Sequence, residues 1–514
     1  MQPMRVLYFL LAFLIGTLPG LAASLAQPAP GAVSSSVAGA STSDFNLPKL
    51  GLAGGAALPL WKAQFIGQTI YRELQGAEVV INDPLVAHYV NYLGHQLSSA
   101  ADSPGEPFHY FALKAPVINA FALPGAYIAV FSRLILITRN EDELAGVMAH
   151  ETAHIVQRHT ARRMADATYN TLVNLGILLG GLIAAAAGAG IGAVIAAQGG
   201  IIQRQINYTR ADEFEADRVG IGILARAGFD PKGMIGFFQY MQRNYAMQGY
   251  NTPEFLSTHP LDLTRITEAQ MRAKSMHVTL RPANPNYALM RARLRVLVSD
   301  DMAQTLDYFE ARRNSLDDPW YRAAATYGMV LSLNRLGEGE RALKLIKPLA
   351  QSHPNNVALQ LAWAETLLAA GQNQAGLEAL SDYNILFPSS PAVTLAYAQA
   401  LMRAGQAKEV VALLSPGLHD RSYRYNPEFD QLLAKAADNA GRAALAYYAM
   451  AHYFLGRGQY RSASIQLRFG LELDDVPVVL RQQMEDMKKQ VKEEYDRAVD
   501  MGIIRPKPGE PGPS

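Results

Sequence analysis

Residues 140–159 read NEDELAGVMAHETAHIVQRH, and the fold of the first half of the chain turns on this stretch. Asn140 is followed three residues later by Glu143, a pairing resembling a capping box that starts a helix at Asn140. Leu144, Val147, Met148 and Ile155 then recur at helical spacing. The predicted helix carries His150-Glu151-Thr152-Ala153-His154 about three turns in. Positions i and i+4 share a helix face, so His150 and His154 can present two imidazoles to one metal ion. Zinc suits that donor type, and a catalytic site leaves one position for water. Glu151 lies beside the first ligand, where a carboxylate can take a proton from that water. Taken alone, the pentapeptide also fits a surface helix with two solvated histidines.

A third ligand is required. Gln157 and Thr160 stand where the metzincin pattern needs Gly and His, so that class is excluded. His159 is out of register with the pair by about a third of a turn and reads as a packed or capping histidine. A better source is the segment Tyr208 to Arg218, YTRADEFEADR. Glu213 and Asp217 are four apart and share a helix face. Glu213 completes a His2Glu zinc site, one ion per chain. Asp217 can hold a ligand imidazole by its free N–H or work on protons in the reaction. Glu215 is assigned to an acidic, solvated face, and in isolation the whole segment fits such a face.

H-E-x-x-H followed by E-x-x-x-D resembles the gluzincin metallopeptidases of the CaaX prenyl protease and heat-shock membrane protease group. Asn119-Ala120-Phe121-Ala122-Leu123-Pro124-Gly125 is similar to that family's segment before the zinc helix, an edge strand that pairs with substrate backbone. The chain departs at Ala126, where a second Gly is common, and at Thr209, where Ser is usual. The resemblance covers residues 60–275. It implies peptide hydrolysis with zinc on His150, His154 and Glu213, Glu151 as the base, and substrate extended along 119–123. Members of this type often carry a His-Pro segment after the zinc domain, and Ser257-Thr258-His259-Pro260 matches it, with Arg265 six residues later. Three roles stay open for His259: stabilising the oxyanion, occupying the open position on zinc, or capping the next helix. The candidate catalytic residues are therefore Glu151, Asp217 and His259.

The chain has 514 residues, enough for two or more cores, and no cysteine, which excludes disulfides and a thiol-linked lipid. Arg5, the apolar run Val6 to Ile15, and Ser24-Leu25-Ala26 before Gln27 read as a cleaved export signal over 1–26. The competing reading is a retained anchor, for which the run is short against about 20 residues. Loss of Arg5 takes the formal charge from +1 to 0, and no basic stripe argues for nucleic acid. Residues 27–58 are a Pro/Gly/Ala/Ser-rich leader, and 501–514 a tail expected to be disordered.

No charged residue occurs from Ala167 to Gln203. One membrane crossing is excluded, because Glu213 must return to the same zinc as His150. A helical hairpin making peripheral membrane contact through 171–202, a Gly-rich lid, and two buried small-residue helices remain open, the eight glycines in 176–200 weighing toward protein packing.

Gly337, Gly371 and Gly405 are each 34 residues apart, as are Pro354 and Pro388. Ala342 and Gly376 each follow a marker glycine by five, placing small residues where helices must touch. A 34-residue helix–turn–helix period resembles the tetratricopeptide repeat. Gly458-Gln459 with Ala463 marks a last unit, giving four units over 318–475 and then a charged helix from Pro477 to Val499. The expected fold is thus mainly α: a helical gluzincin zinc-peptidase domain with a small β-sheet over 59–275, a helical connector over 276–317, and an α-solenoid over 318–500. Such an array stacks on itself and leaves a concave docking surface.

A zinc peptidase with such repeats behind an export signal resembles the outer-membrane quality-control members of the same group. The resemblance implies a periplasmic endopeptidase that degrades misassembled β-barrel proteins and assists their assembly. Its partners would be unfolded outer-membrane proteins and, through the repeats, the barrel-assembly machinery. The alternative is a chaperone-like assembly factor that binds clients with little proteolysis. Spacing and composition alone support only an exported zinc peptidase with a docking array.

Overall fold

The computed structural model of the chain describes residues 58–103, 107–159, 162, 209–245, 254–419, 426–504 and 512–513. The expected signal, nearly all of the leader, the uncharged insert and most of the tail lie outside the described residues. The first part comprises α1 (Leu60–Gly76), α2 (Pro84–Ser99), β1 (His109–Leu113), β2 (Ala120–Leu123), β3 (Tyr127–Phe131), α3 (Ser132–Ile137), α4 (Glu141–Val156), α5 (Arg210–Arg226), α6 (Lys232–Tyr245), α7 (Glu254–Thr258) and α8 (Leu263–Ser275).

Helix α4 starts where its sequence predicts, with Asn140 Oδ1 accepting the Glu143 N–H at 2.9 Å. The reciprocal half of the box does not form. Glu143 instead accepts from the Arg139 N–H at 2.7 Å and from its guanidinium, a charge-assisted pairing that outcompetes a neutral amide. The reciprocal box occurs at α5, between Thr209 and Asp212. Every residue of α4 from Glu143 to Ile155 is buried, so this helix is packed on all faces and forms the axis of the first part.

The sheet has the order β1-β3-β2. β1 runs parallel to β3, with His109 opposite Tyr127 and Leu113 opposite Phe131. β2 pairs antiparallel with β3, Ala120 opposite Val130 and Leu123 opposite Tyr127, and so stands at an edge. The hairpin tip needs glycine at 125 twice over. Its φ is +76°, and a Cβ there would come within 2.5 Å of the Gln64 Cα on α1. Ala126 follows with φ +64°. That backbone favours glycine, which accounts for the second Gly common in the resembling family.

The chain continues through α9 (Pro285–Val298) and α10 (Met302–Ser315) into four helix pairs. These are α11 (Pro319–Arg335) with α12 (Gly339–Ser352), α13 (Val357–Ala369) with α14 (Asn373–Leu386), α15 (Pro391–Arg403) with α16 (Ala407–Leu414), and α17 (Pro427–Asn439) with α18 (Ala443–Gly456). Then come α19 (Tyr460–Leu471) and α20 (Val478–Asp500). Gly337, Gly371 and Gly405 turn the first three pairs at φ +77°. In each, the following N–H bonds back across the helix end, as Gln372 does to the Leu367 carbonyl at 2.9 Å. A Cβ at these three sites would meet nothing within 4 Å, so the left-handed φ, not space, demands glycine. The fourth pair turns on Gly441, which the 34-residue period passes over. It lies 36 residues after Gly405, the added length falling in the connection between α16 and α17. Gly458 turns the chain between α18 and α19. A Cβ on Gly376 would approach Leu368 of α13 to 2.6 Å, the close helix contact that the small residue permits.

One apolar core runs without interruption from Ile81 to Ala400. Asp83 caps α2 and also receives the Arg293 guanidinium of α9 at 2.6–2.9 Å. Tyr287 donates to the Thr138 carbonyl at 2.9 Å. The far end of the array returns to α1: Arg457 donates to the Gly76 carbonyl, Arg72 pairs with Glu494, and Arg497 lies over the Phe65 ring. The helix pairs and the first part of the chain therefore share packing at both ends of the array. Among the described residues no helix is long and apolar enough to cross a membrane.

Asp430, on α17, is 4% exposed, and burial holds its carboxyl well above the usual range. A raised folded pKa means the native state keeps its proton as pH rises past the ordinary value. Stability therefore falls from about pH 4 upward until the folded pKa is passed. Asp430→Asn is expected to be more stable than wild type at neutral pH, with the difference shrinking on acidification. Urea unfolding at pH 7 and near pH 4 checks this; a difference independent of pH would contradict it.

Candidate metal centre

Three segments converge on one buried point. α4 supplies His150, Glu151 and His154. The reciprocal cap at Thr209 starts α5 so that Glu213 and Asp217 face α4. α7 delivers His259, whose N–H bonds to the Phe255 carbonyl at 2.8 Å, while the Phe255 N–H anchors α7 to the Ile118 carbonyl just before β2. His150, His154 and Glu213 are fully buried and His259 is 1% exposed.

One donor atom from each of these four residues lies within 4.8 Å of the others. His150 Nε2 is 3.0 Å from His154 Nε2, 3.3 Å from His259 Nδ1 and 3.4 Å from Glu213 Oε2. Glu213 Oε1 is 3.5 Å from His154 Nε2 and 2.9 Å from His259 Nδ1. A tetrahedral ion with bonds of about 2.0–2.1 Å has ligand–ligand edges of about 3.3 Å. These separations bracket that edge, and three imidazoles with one carboxylate are a donor set that fits a divalent cation. Protons alone satisfy such a cluster poorly, since a neutral ring has only one N–H to share.

The electrostatics agree. Burial by itself would push His150 down, but the Asp217 and Glu213 carboxylates outweigh it and lift the ring to about 10. Burial, reinforced by the charge on His150, holds His154 well below its ordinary value. Glu213 is held well below the carboxylate range: burial opposes this, and His259 and His150 prevail. The donors thus pair a carboxylate held ionised with an imidazole held protonated by its acidic neighbours, a site where a cation can take the place of that proton.

Glu151 is fully buried, and neither carboxylate oxygen has a hydrogen-bond partner among the described residues. Burial raises its pKa. Its nearest polar neighbour is His259, whose Nε2 is 3.4 Å from Oε1. Asp217 sits behind His150, its Oδ1 3.0 Å from Nδ1 on the ring edge away from the other donors. All six residues singled out from the sequence are therefore together, four of them as donors, with Glu151 beside the donors and Asp217 behind His150.

Arg265 belongs to the site too, and the sequence reading had given it no role. It is 1% exposed and donates from Nε and Nη2 to Asp217 at 2.7 and 2.8 Å and from Nη1 to the Pro260 carbonyl at 2.7 Å. Nη1 also lies 2.7 Å from Glu213 Oε2. The available signal was periodicity: Arg265, Ala269 and Ala273 lie on the buried face of α8, an odd place for a guanidinium without buried acids to meet. His159 is packed, as its sequence position suggests, whereas Glu215, expected on a solvated face, pairs with it. His159 Nδ1 is 2.8 Å from His154 Nδ1, and Glu215 Oε2 is 3.1 Å from His159 Nε2.

The sequence profile of Peptidase family M48 matches residues 84–273, a span that holds every residue of this cluster. A Vibrio cholerae relative is 38% identical over 313 residues, 60% of this chain and 64% of its own length. The Beta-barrel assembly-enhancing protease of Escherichia coli O157:H7 is 35% identical over 342 residues, 64% of this chain and 67% of its own length. A mitochondrial metalloendopeptidase of Saccharomyces cerevisiae is 36% identical over 152 residues, 29% of this chain and 41% of its own length. The chain spans about two thirds of the length of the two bacterial relatives.

Proposed function

Because the chain belongs to peptidase family M48, in the group of the beta-barrel assembly-enhancing proteases, we propose that it is an exported zinc endopeptidase of the periplasm. Its clients are unfolded or misassembled outer-membrane β-barrel proteins. The observation that carries the reading is the cluster itself: four buried donors within 4.8 Å of one another, with Glu151, a carboxylate that has no hydrogen-bond partner among the described residues, beside them.

His150, His154 and Glu213 would hold the zinc ion, which when bound would supply Lewis acidity for acidifying water near neutral pH and for offsetting charge on the scissile carbonyl. Glu151 accepts the water proton at a carboxylate oxygen and passes it to the leaving amine. Asp217 Oδ1, 3.0 Å from His150 Nδ1, favours a proton on that nitrogen and so leaves the Nε2 lone pair toward the centre. In this reading Asp217 positions a ligand and Arg265 keeps it ionised. An extended client adds to the edge of β2 along 119–123, which selects unfolded chains. The helix pairs, read as tetratricopeptide repeats, present clients and dock on the barrel-assembly machinery, and the uncharged stretch 171–202 is the candidate for peripheral membrane contact.

Purified chain incubated with an unfolded outer-membrane barrel protein tests this. Cleavage is expected with zinc, none after chelation, and little on the folded barrel. Binding without cleavage in the zinc-loaded state would favour the chaperone-like reading, which the burial of the whole centre otherwise supports.

His259 is read here as the residue that restrains the enzyme. Its Nδ1 stands among the donors, where water would otherwise have room. His259→Ala is expected to keep zinc and to cleave clients, and the chain itself, faster than wild type. A loss of about 10²–10³-fold would instead assign His259 to the oxyanion. Initial rates at saturating zinc decide between them.

A further inference from the structure

Helix α4 ends at Val156, and Arg158 takes a left-handed φ of +54°. That reversal breaks the helical phase and folds His159 back beneath the helix, where it is 1% exposed. Its ring meets the far side of His154, with Nδ1 2.8 Å from His154 Nδ1. Its other nitrogen, Nε2, is 3.1 Å from Glu215 Oε2, and the same oxygen is 3.3 Å from Arg162 Nη2. Asp212 Oδ1 lies 3.7 Å from His159 Nε2.

The protons in this chain are determined by its inner end. His154 turns Nε2 toward the other donors, so that nitrogen must present a lone pair and the ring must carry its hydrogen on Nδ1. Two Nδ1 atoms at 2.8 Å share one hydrogen, so His159 accepts there and carries its own hydrogen on Nε2. That hydrogen points at a carboxylate, Glu215, which can only accept. Within this run of contacts each atom has one role and none conflicts.

We propose that His159 is a positioning residue for His154, with Glu215 as the terminal acceptor. The relay fixes the tautomer and ring angle of the second histidine ligand, as Asp217 with Arg265 does for the first. Outer partners of this kind are generally worth about 10–100-fold in metal affinity. The inference rests on reading the cluster as a metal centre.

The test is metal affinity of the full chain, stripped and titrated with Co2+ against a chromophoric chelator, with the visible Co2+ spectrum as a second readout. His159→Ala is expected to bind about 10–100-fold more weakly with an altered spectrum. His159→Gln, whose amide oxygen can accept from His154 and whose N–H can donate to Glu215, is expected to recover most of the loss. Glu215→Ala should weaken binding by less than His159→Ala. If His159→Ala does not fold, Glu215→Ala, which alters a side chain one third exposed, carries the test. Wild-type affinity and spectrum in His159→Ala, or in Glu215→Ala when it stands alone, overturn the relay. A Gln variant no better than Ala does the same. Failure of the wild-type chain to bind Co2+ overturns the metal centre itself, and the relay with it.

Discussion

Glu151→Gln is expected to leave metal content unchanged and to slow peptide cleavage by about 10²–10⁴-fold, the range for losing a positioned general base. Two observations make the effect specific. Glu151 is not among the four donors, so the amide removes no ligand. Its carboxylate is fully buried and has no hydrogen-bond partner among the described residues, so the amide breaks no hydrogen bond and weakens only the 3.4 Å contact with His259. Glutamine keeps the volume and removes only the ability to take a proton. Metal analysis and steady-state rates on an unfolded client are sufficient. Wild-type turnover in the variant would place the base elsewhere.

Arg265→Ala is expected to cost about 3–5 kcal/mol of stability, the range for removing one partner of a buried ion pair. The guanidinium meets Asp217 through two bonds and lies against Glu213, and its removal leaves both buried carboxylates without it. Metal affinity should fall as well, since Asp217 would no longer be held behind His150. The pH response has a definite sign. Burial alone would raise Asp217, but Arg265 and His150 hold it below its ordinary value. Wild type therefore gains stability from this carboxylate above its unfolded pKa and loses it as pH falls through the folded one. The variant should lose much of that acid sensitivity along with the neutral-pH stability. Urea unfolding at pH 7 and pH 4 measures both. A variant as stable as wild type would show that the two acids are otherwise satisfied.

Much of this was legible in the chain. A pair of histidines four apart and a Glu–Asp pair four apart each follow from helix geometry alone, so their phase survives any packing. The same holds for Gly337, Gly371 and Gly405, because a left-handed turn restricts the residue whatever surrounds it. The N-cap at Asn140 is equally local.

What the sequence could not determine depends on contacts between distant segments. Helical phase placed His159 off the metal face, yet one left-handed residue, Arg158, swings it under His154. Charge pattern placed Glu215 on a solvated face, yet its partner arrives from the end of another helix. Arg265 stands six residues after His259 in the sequence, but only its burial between two acids shows what it does. His259 is more than a hundred residues from His150, and tertiary contacts such as the anchoring of α7 at Ile118 bring it among the donors. The motif determined which side chains could hold a metal, because helix periodicity is a local property. Which groups hold those side chains in place was decided by tertiary packing, because an outer partner has no fixed spacing along the chain.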